Sequence, residues 1–248
     1  MRAIYILCIR QLKRYVRSPA RIVGSLGQPV IFLLALGFGL GSVVKLTGAA
    51  NYFTFLVPGI IAMGIMFTAV FSGIEIIWDR QFGFLKETLV APVSRLQIVL
   101  GRVLGGAIVA MLQGFAVFLV CLAFGFRIHN WALVPVALVF MFLISLLFTS
   151  IGTAVGSVLQ DMQGFPLVMN FLVMPLFFFS DALIPMKGLP KILEGALRLN
   201  PVTYGVDGLR GALSSAFGFS IVTDLGVLVI LSAILLSIGS YLFSRIQL

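Results

Sequence analysis

Apolar residues along this chain fall into runs of about twenty or more, separated by short charged stretches. That spacing belongs to repeated membrane crossings rather than to surface helices. A helix rises 1.5 Å per residue, so roughly 20 mostly apolar residues span a bilayer core of about 30 Å. Six uncharged stretches reach that length: 22–44, 52–74, 103–126, 134–158, 162–180 and 225–244. The fourth is placed inside a longer uncharged run, 130–160. The expected fold is an all-α integral membrane protein, one transmembrane domain over 1–248 with six transmembrane helices. An even count puts both termini on the same side.

The first 21 residues follow a different rhythm. On a 100° wheel Ile4, Cys8, Leu12, Tyr15 and Val16 share one face. Arg10, Lys13, Arg14, Arg17 and Arg21 share the other. This predicts an amphipathic helix lying in the headgroup plane, its cations toward anionic membrane lipid. A plain basic flank of the first span would need the charge but not the stripe. Ser18-Pro19 ends the helix before that span. No long apolar core followed by small residues marks a cleavable signal peptide.

Composition agrees with a membrane protein. The 248 residues are 60% hydrophobic and 10% charged, against about 25% charged in an ordinary soluble domain. A soluble enzyme and a disordered chain are both excluded. Seventeen Lys and Arg against eight Asp and Glu leave a net charge of +9. The cations lie between apolar runs, so the basic balance points to the membrane surface and not to nucleic acid. Arg2, Arg10, Lys13, Arg14, Arg17, Arg21, Arg80, Lys86, Arg95, Arg102 and Arg245 fall on one side of the six spans. Lys45, Arg127, Lys187, Lys191, Arg198 and Arg210 fall on the other. The richer side is cytoplasmic by the positive-inside rule, and with it both termini. Cys8 and Cys121 stand far apart in apolar surroundings and read as two thiols rather than a disulfide.

The stretch Trp78 to Arg102, WDRQFGFLKETLVAPVSRLQIVLGR, mixes apolar and charged residues on that cytoplasmic side. Phe82, Leu85 and Leu89 stand at i, i+3 and i+7 and form an apolar stripe, expected to be exposed. Pro92 ends the short helix at Ala91. Ser94-Arg95-Leu96-Gln97 has the S-x-x-Q form of a capping box and starts the helix into the third span. On pattern alone this is either a partner-binding surface helix or a solvated loop with a helical kink.

The run DRQFGFLKETLVAPVSR resembles the cytoplasmic loop of type-2 ABC exporter permeases, in particular the daunorubicin-resistance and nodulation-factor export group. Downstream, FPLVMNFLVMPLFFFSDALIP and then LNPVTYGVDGLRG are similar to that family's second signature. The resemblance covers essentially the whole chain. It implies the transmembrane subunit of an ATP-driven exporter for an amphipathic, lipid-like or drug-like substrate. Its partners would be two separate ABC ATPase subunits and a second permease copy or a paralogue, a homodimer being the expected form. The loop 79–95 would hold the coupling helix docked on the ATPase, through Asp79, Arg80, Phe82, Gly83, Leu85, Lys86, Glu87, Leu89, Pro92 and Arg95. The interfacial helix, with Arg10, Lys13, Arg14 and Arg17, would touch the ATPase too. The chain itself would be no enzyme and hold no cofactor, ATP and Mg belonging to the partner. The location implied is the cell (inner) membrane.

The residues agree with that division. No G-x-x-x-x-G-K-[ST] occurs, and Gly37-Phe38-Gly39-Leu40-Gly41 lies inside a span where it cannot cradle phosphate. The sole histidine, His129, has no ligand-type residues around it in sequence. Between the fifth and sixth spans, Pro190 and Pro201 suit first-turn positions and Asn200 suits a cap. Two helices too short to cross are expected, 191–199 and 202–213, with Glu194/Arg198 and Asp207/Arg210 paired along their exposed sides. In the family this region, here 187–213 and including Tyr204, is a re-entrant helical hairpin on the outer face that acts as a gate; a surface loop is the plainer reading. Gly101/Gly105 and Gly152/Gly156 are G-x-x-x-G pairs that permit close helix contact, within the chain or between copies. Phe177-Phe178-Phe179 could line an exit path or face lipid. A secondary transporter or channel is the alternative function, but the spans carry no ionisable residue near their midpoints, which that class usually has.

The charge split makes a direct prediction. In a chain lacking Cys8 and Cys121, Lys86→Cys should label from the cytoplasm, and Lys187→Cys and Lys191→Cys from outside. Cytoplasmic-only labelling at position 187 would overturn the orientation.

Overall fold

The structure, a computed structural model, describes residues 2–40, 52–90, 92–183, 185 and 190–246, the side chains of Leu40, Glu87, Thr88 and Leu89 excepted. These residues are helical with no strand among them. The helices are α1 (Arg2–Val16), α2 (Pro19–Phe32, continued by π-helical turns over Leu33–Leu40), α3 (Tyr52–Phe71), α4 (Ile74–Gln81) and α5 (Phe84–Val90). They are followed by α6 (Arg95–Ala123), α7 (Val134–Val158), α8 (Gly164–Phe178), α9 (Lys191–Leu199), α10 (Pro201–Ser214) and α11 (Ile221–Ser244).

Among the described residues five segments are long and apolar enough to cross a membrane: Pro19–Gly39, Tyr52–Gln81, Arg95–Ala123, Trp131–Val158 and Ile221–Ser244. The fourth expected span is matched residue for residue by α7. The third ends three residues early, at Ala123, because Gly125 turns the chain at φ 98°. The end of the first expected span, 41–44, lies outside the described residues. The fifth, 162–180, is shorter than expected. α8 has 15 residues, about 22 Å at the standard rise and less than a bilayer core. Its far end is stopped by Asn200, whose amide donates to Leu176 O and Phe179 O at 2.6 Å each.

α3 runs through the centre, buried almost without interruption from Leu56 to Met66. α6, α7 and α10 surround it, and α11 closes the far side against α7. The two G-x-x-x-G pairs are used inside the chain. A Cβ on Gly152 would collide with Val70 O, and one on Gly156 with Gly73 O, so α7 meets the α3–α4 junction backbone to backbone. A Cβ on Gly101 would stand 2.9 Å from Leu7, and one on Gly105 3.1 Å from the Cα of Cys8. The second pair is the seat of α1.

α1 is therefore docked on α6. Ile4, Leu7, Cys8 and Leu12 are half-buried, and Gln11 and Tyr15 are buried. The Tyr15 hydroxyl donates to Gln113 Oε1 in α6. Val16, expected on the buried face, is 63% exposed, because the helix ends there and Ser18-Pro19 turns the chain away.

The Cys8 thiol donates to Gly101 O at 3.4 Å, and burial pushes its pKa above the ordinary value. Less thiolate means slow alkylation. Gly101→Leu should lift α1 off α6 and speed alkylation of Cys8 roughly tenfold, since reactivity then follows local opening. With Cys121 replaced by Ser, an unchanged rate would contradict this seat for α1.

Candidate functional site

The sequence-predicted loop folds into a corner made by α4, α5 and the start of α6. α4 continues the line of α3 past a break at Ser72-Gly73. It turns two carboxylates inward, Glu75 and Asp79, four residues apart and so on one face. Both are buried. Glu75 meets Arg14 at 3.7 Å and Arg21 at 3.4 Å. Asp79 meets Arg10 at 3.2 Å and also the buried Arg102. Arg14 lies 5.3 Å over the Trp78 ring. Four arginines from α1, α2 and α6 thus gather around two carboxylates, leaving a surplus of positive charge.

On its other side Arg80 closes the end of α7, donating to Ser157 O at 2.8 Å and Leu159 O at 3.3 Å. A cation suits those open carbonyls. Gly83, at φ 81°, makes the turn into α5 that only glycine takes readily. Ser94 then caps α6, its hydroxyl accepting from Gln97 N at 3.3 Å. Arg95 donates to Ser244 O at the end of α11. Pro92 and Lys86 are exposed.

Several expectations need correction. Leu85 is fully buried, packed with Ile76, Ile98, Val99, Val103, Phe243 and Ile246. Its side chain holds the corner to the bundle instead of facing outward. The Glu87 and Leu89 side chains lie outside the described residues. The apolar groups that are exposed are Phe82 at 70%, Phe84 at 55% and Val90 at 86%. Phe84 and Val90 were missed because the face of so short a helix is set by the residue that anchors it, here Leu85, which spacing alone does not identify. Asp79 is engaged inside the bundle, and so are Arg10 and Arg14, which turn toward carboxylates as well as solvent because those are the nearest counter-charges. Lys13 and Arg17 are exposed as expected.

At the other end of the bundle the expected helices form, α9 over the predicted range and α10 one residue longer at each end. Pro190 is the cap of α9, and Pro201 occupies the first turn of α10. Asn200 caps α10 by accepting from Val202 N at 3.0 Å. Tyr204 donates to Arg198 O at 2.7 Å. Glu194 and Arg198 pair at 2.7 Å on the surface. The Asp207/Arg210 pair does not form. α10 is buried over most of its length, packed on α3, α7 and α11, and each charge has a partner elsewhere. Arg210 pairs with Asp181, donates to Asp181 O at 2.6 Å, and lies 4.0 Å over the Phe55 ring. The Asp207 carboxylate accepts from Gly218 N at 2.8 Å and Phe219 N at 2.7 Å. Of the phenylalanine run, Phe177 is core, while Phe178 and Phe179 are exposed. The expected hairpin start, 187–189, lies outside the described residues. Among the described residues no three His, Cys, Asp or Glu come together as a metal site.

A sequence profile of the ABC-2 type transporter family matches residues 2–214. Nodulation protein J of Rhizobium leguminosarum bv. trifolii is 31% identical over 193 residues, 77% of this chain and 73% of that protein. Nodulation protein J of Sinorhizobium fredii (strain NBRC 101917 / NGR234) is 29% identical over 224 residues, 89% of this chain and 85% of that protein. Inner membrane transport permease YadH of Escherichia coli (strain K12) is 29% identical over 214 residues, 84% of this chain and 82% of that protein. The chain belongs to the ABC-2 type transporter family. It is a multi-pass membrane protein and a transport subunit of the permease kind.

Removing one partner of a buried ion pair costs about 3–5 kcal/mol. Asp181→Ala should accordingly lower the melting temperature in detergent well below that of Glu194→Ala, an exposed pair worth at most about 0.5 kcal/mol. Equal melting of the two variants would deny Asp181–Arg210 a structural role.

Proposed function

We propose that this chain is the membrane-spanning subunit of an ATP-driven exporter that moves an amphipathic, lipid-like or drug-like substrate out of the cytoplasm or inner leaflet. ATP, with Mg, is hydrolysed on two separate ABC ATPase subunits, and a second permease copy or paralogue completes the complex. The observation that carries this reading is the α4–α5–α6 corner. Three large apolar side chains, Phe82, Phe84 and Val90, stand out of a charged turn that the Arg80, Leu85 and Arg95 side chains tie to three spanning helices. Exposed apolar groups on a rigid support, at the basic end of a membrane protein, suit docking of a soluble partner.

The remaining parts follow. Both termini and the corner face the cytoplasm of the inner membrane. α8 makes a sixth, shallow crossing, and the α9–α10 pair is a re-entrant hairpin at the outer face. α1 lies along the inner surface with Lys13 and Arg17 toward lipid and ATPase. Polar anchoring of α10 within the bundle supports the hairpin reading over a loose surface loop.

Burying one phenylalanine contributes about 1.5–3 kcal/mol, so each truncation at the corner should weaken docking about 10- to 100-fold. Phe82→Ala with Phe84→Ala should strip the ATPase from the purified complex while the permease melts as before. Leu85→Ala should do the reverse of a clean docking variant and destabilise the permease itself, by about 2–5 kcal/mol. Full ATPase retention and normal transport by the double phenylalanine variant would refute the docking role.

A further inference from the structure

A cavity of about 450 Å³ opens between α1, α2, α3 and the α4 junction. Met63 and Phe67 of α3 and Pro29 of α2 give it an apolar lining. The rest is partly polar. Gln11, Gln28 and Thr68 line it, and among the described residues none of these side chains has a hydrogen-bond partner. These polar groups are open to the cavity and available to an occupant that hydrogen-bonds.

Charge narrows the occupant. Arg21 and Glu75 line the same cavity. Glu75 is shared by Arg14 at 3.7 Å and Arg21 at 3.4 Å, so one carboxylate faces two guanidiniums. The neighbouring Asp79 is likewise shared by Arg10 and Arg102. The surplus is positive, and Arg21 keeps 40% of its side chain exposed. A guanidinium free to take a second acceptor is well suited to phosphate oxygens.

We propose that this cavity binds the phosphate-ester headgroup of an anionic amphiphile drawn from the leaflet at the α1 end. Arg21 takes the phosphate, Gln11, Gln28 and Thr68 take hydroxyls or ester oxygens, and the first part of the acyl chains lies along Met63 and Phe67. The site shares Glu75 with the inner side of the corner but lies apart from the exposed Phe82, Phe84 and Val90, and it does not depend on an ATPase partner.

Two glycines provide the test. Gly24 lines the cavity, and a Cβ there meets no atom within 4 Å. Gly24→Phe can therefore grow into the cavity. Gly27 also has open space around its Cβ and does not line the cavity, so Gly27→Phe is the matched control. The purified full chain would be titrated in detergent with dioctanoyl phosphatidylglycerol, dioctanoyl phosphatidylcholine and glycerol phosphate, and bound molecules counted by native mass spectrometry. One phosphatidylglycerol per chain is expected, with phosphatidylcholine roughly tenfold weaker, because its choline cation would stand among the same arginines and offers no hydroxyls to Gln11, Gln28 and Thr68. Gly24→Phe and Arg21→Gln should each weaken phosphatidylglycerol roughly tenfold or more, with Gly27→Phe unchanged. Arg21→Gln adds no bulk and covers the case in which Gly24→Phe folds poorly. Full binding by both cavity variants, or equal binding of the two lipids, would overturn the proposal. Glycerol phosphate binding as tightly as the lipid would overturn its lipid part and assign the site to a soluble phosphate ester.

Discussion

Two carboxylates one helical turn apart, Glu75 and Asp79, decide how one end of this bundle is assembled. A buried carboxylate is costly unless a cation and hydrogen bonds compensate it. α4 presents both inward, so the chain must bring cations to them from elsewhere. It brings Arg102 from α6, Arg10 and Arg14 from α1, and Arg21 from the start of α2. An amphipathic helix with Arg10, Lys13 and Arg14 on one face is thereby turned from a free surface helix into a docked one. The glycine seat at Gly101 and Gly105 lets it approach closely enough for those contacts. The charges set the orientation of α1, and the small residues set its distance.

The opposite end solves the same problem with different groups. α10 is too short to cross and is nevertheless buried. Its charges are met by the chain before and after it: Arg210 by Asp181, and Asp207 by the amides of Gly218 and Phe219. Asn200 satisfies both neighbours at once, capping α10 with its oxygen and closing the end of α8 with its amide. Backbone groups at membrane depth must be satisfied within the protein. This one residue does so for two helix ends, and that is why α8 can stop short of a full crossing.

Local signals were legible in the sequence where local physics decides. The bounds of α7 and α9 and the caps at Ser94 and Asn200 follow from apolar run length and side-chain chemistry within a turn. What periodicity cannot show is which neighbour a face meets. Asp207 and Arg210 have the spacing of a helix pair, but in a buried helix longer-range partners win. Leu85 has the spacing of an exposed stripe and is the residue that anchors it. The G-x-x-x-G pairs announce close contact and are silent on whether the contact lies within one chain or between two. Each of these misses concerns long-range packing, which is where the candidate site draws its shape.

The same packing says which parts of the bundle can move separately. The corner is tied to α7 through Arg80, to α6 through Leu85, and to α11 through Arg95 and the Leu85 contacts with Phe243 and Ile246. A force applied at Phe82 and Phe84 would therefore be shared by three spanning helices, since packed elements shift as rigid bodies rather than deform. α2 is different. Within Pro19–Phe32 Pro29 is the only buried residue, and that proline interrupts the helix interior where a hydrogen bond is lost. Its firm tether to the corner is Arg21 on Glu75, half exposed and at the margin of an ion pair. The first part of α2 is thus lightly held, and it is the part that lines the proposed lipid cavity, so its few ties leave room for a headgroup to enter beside it.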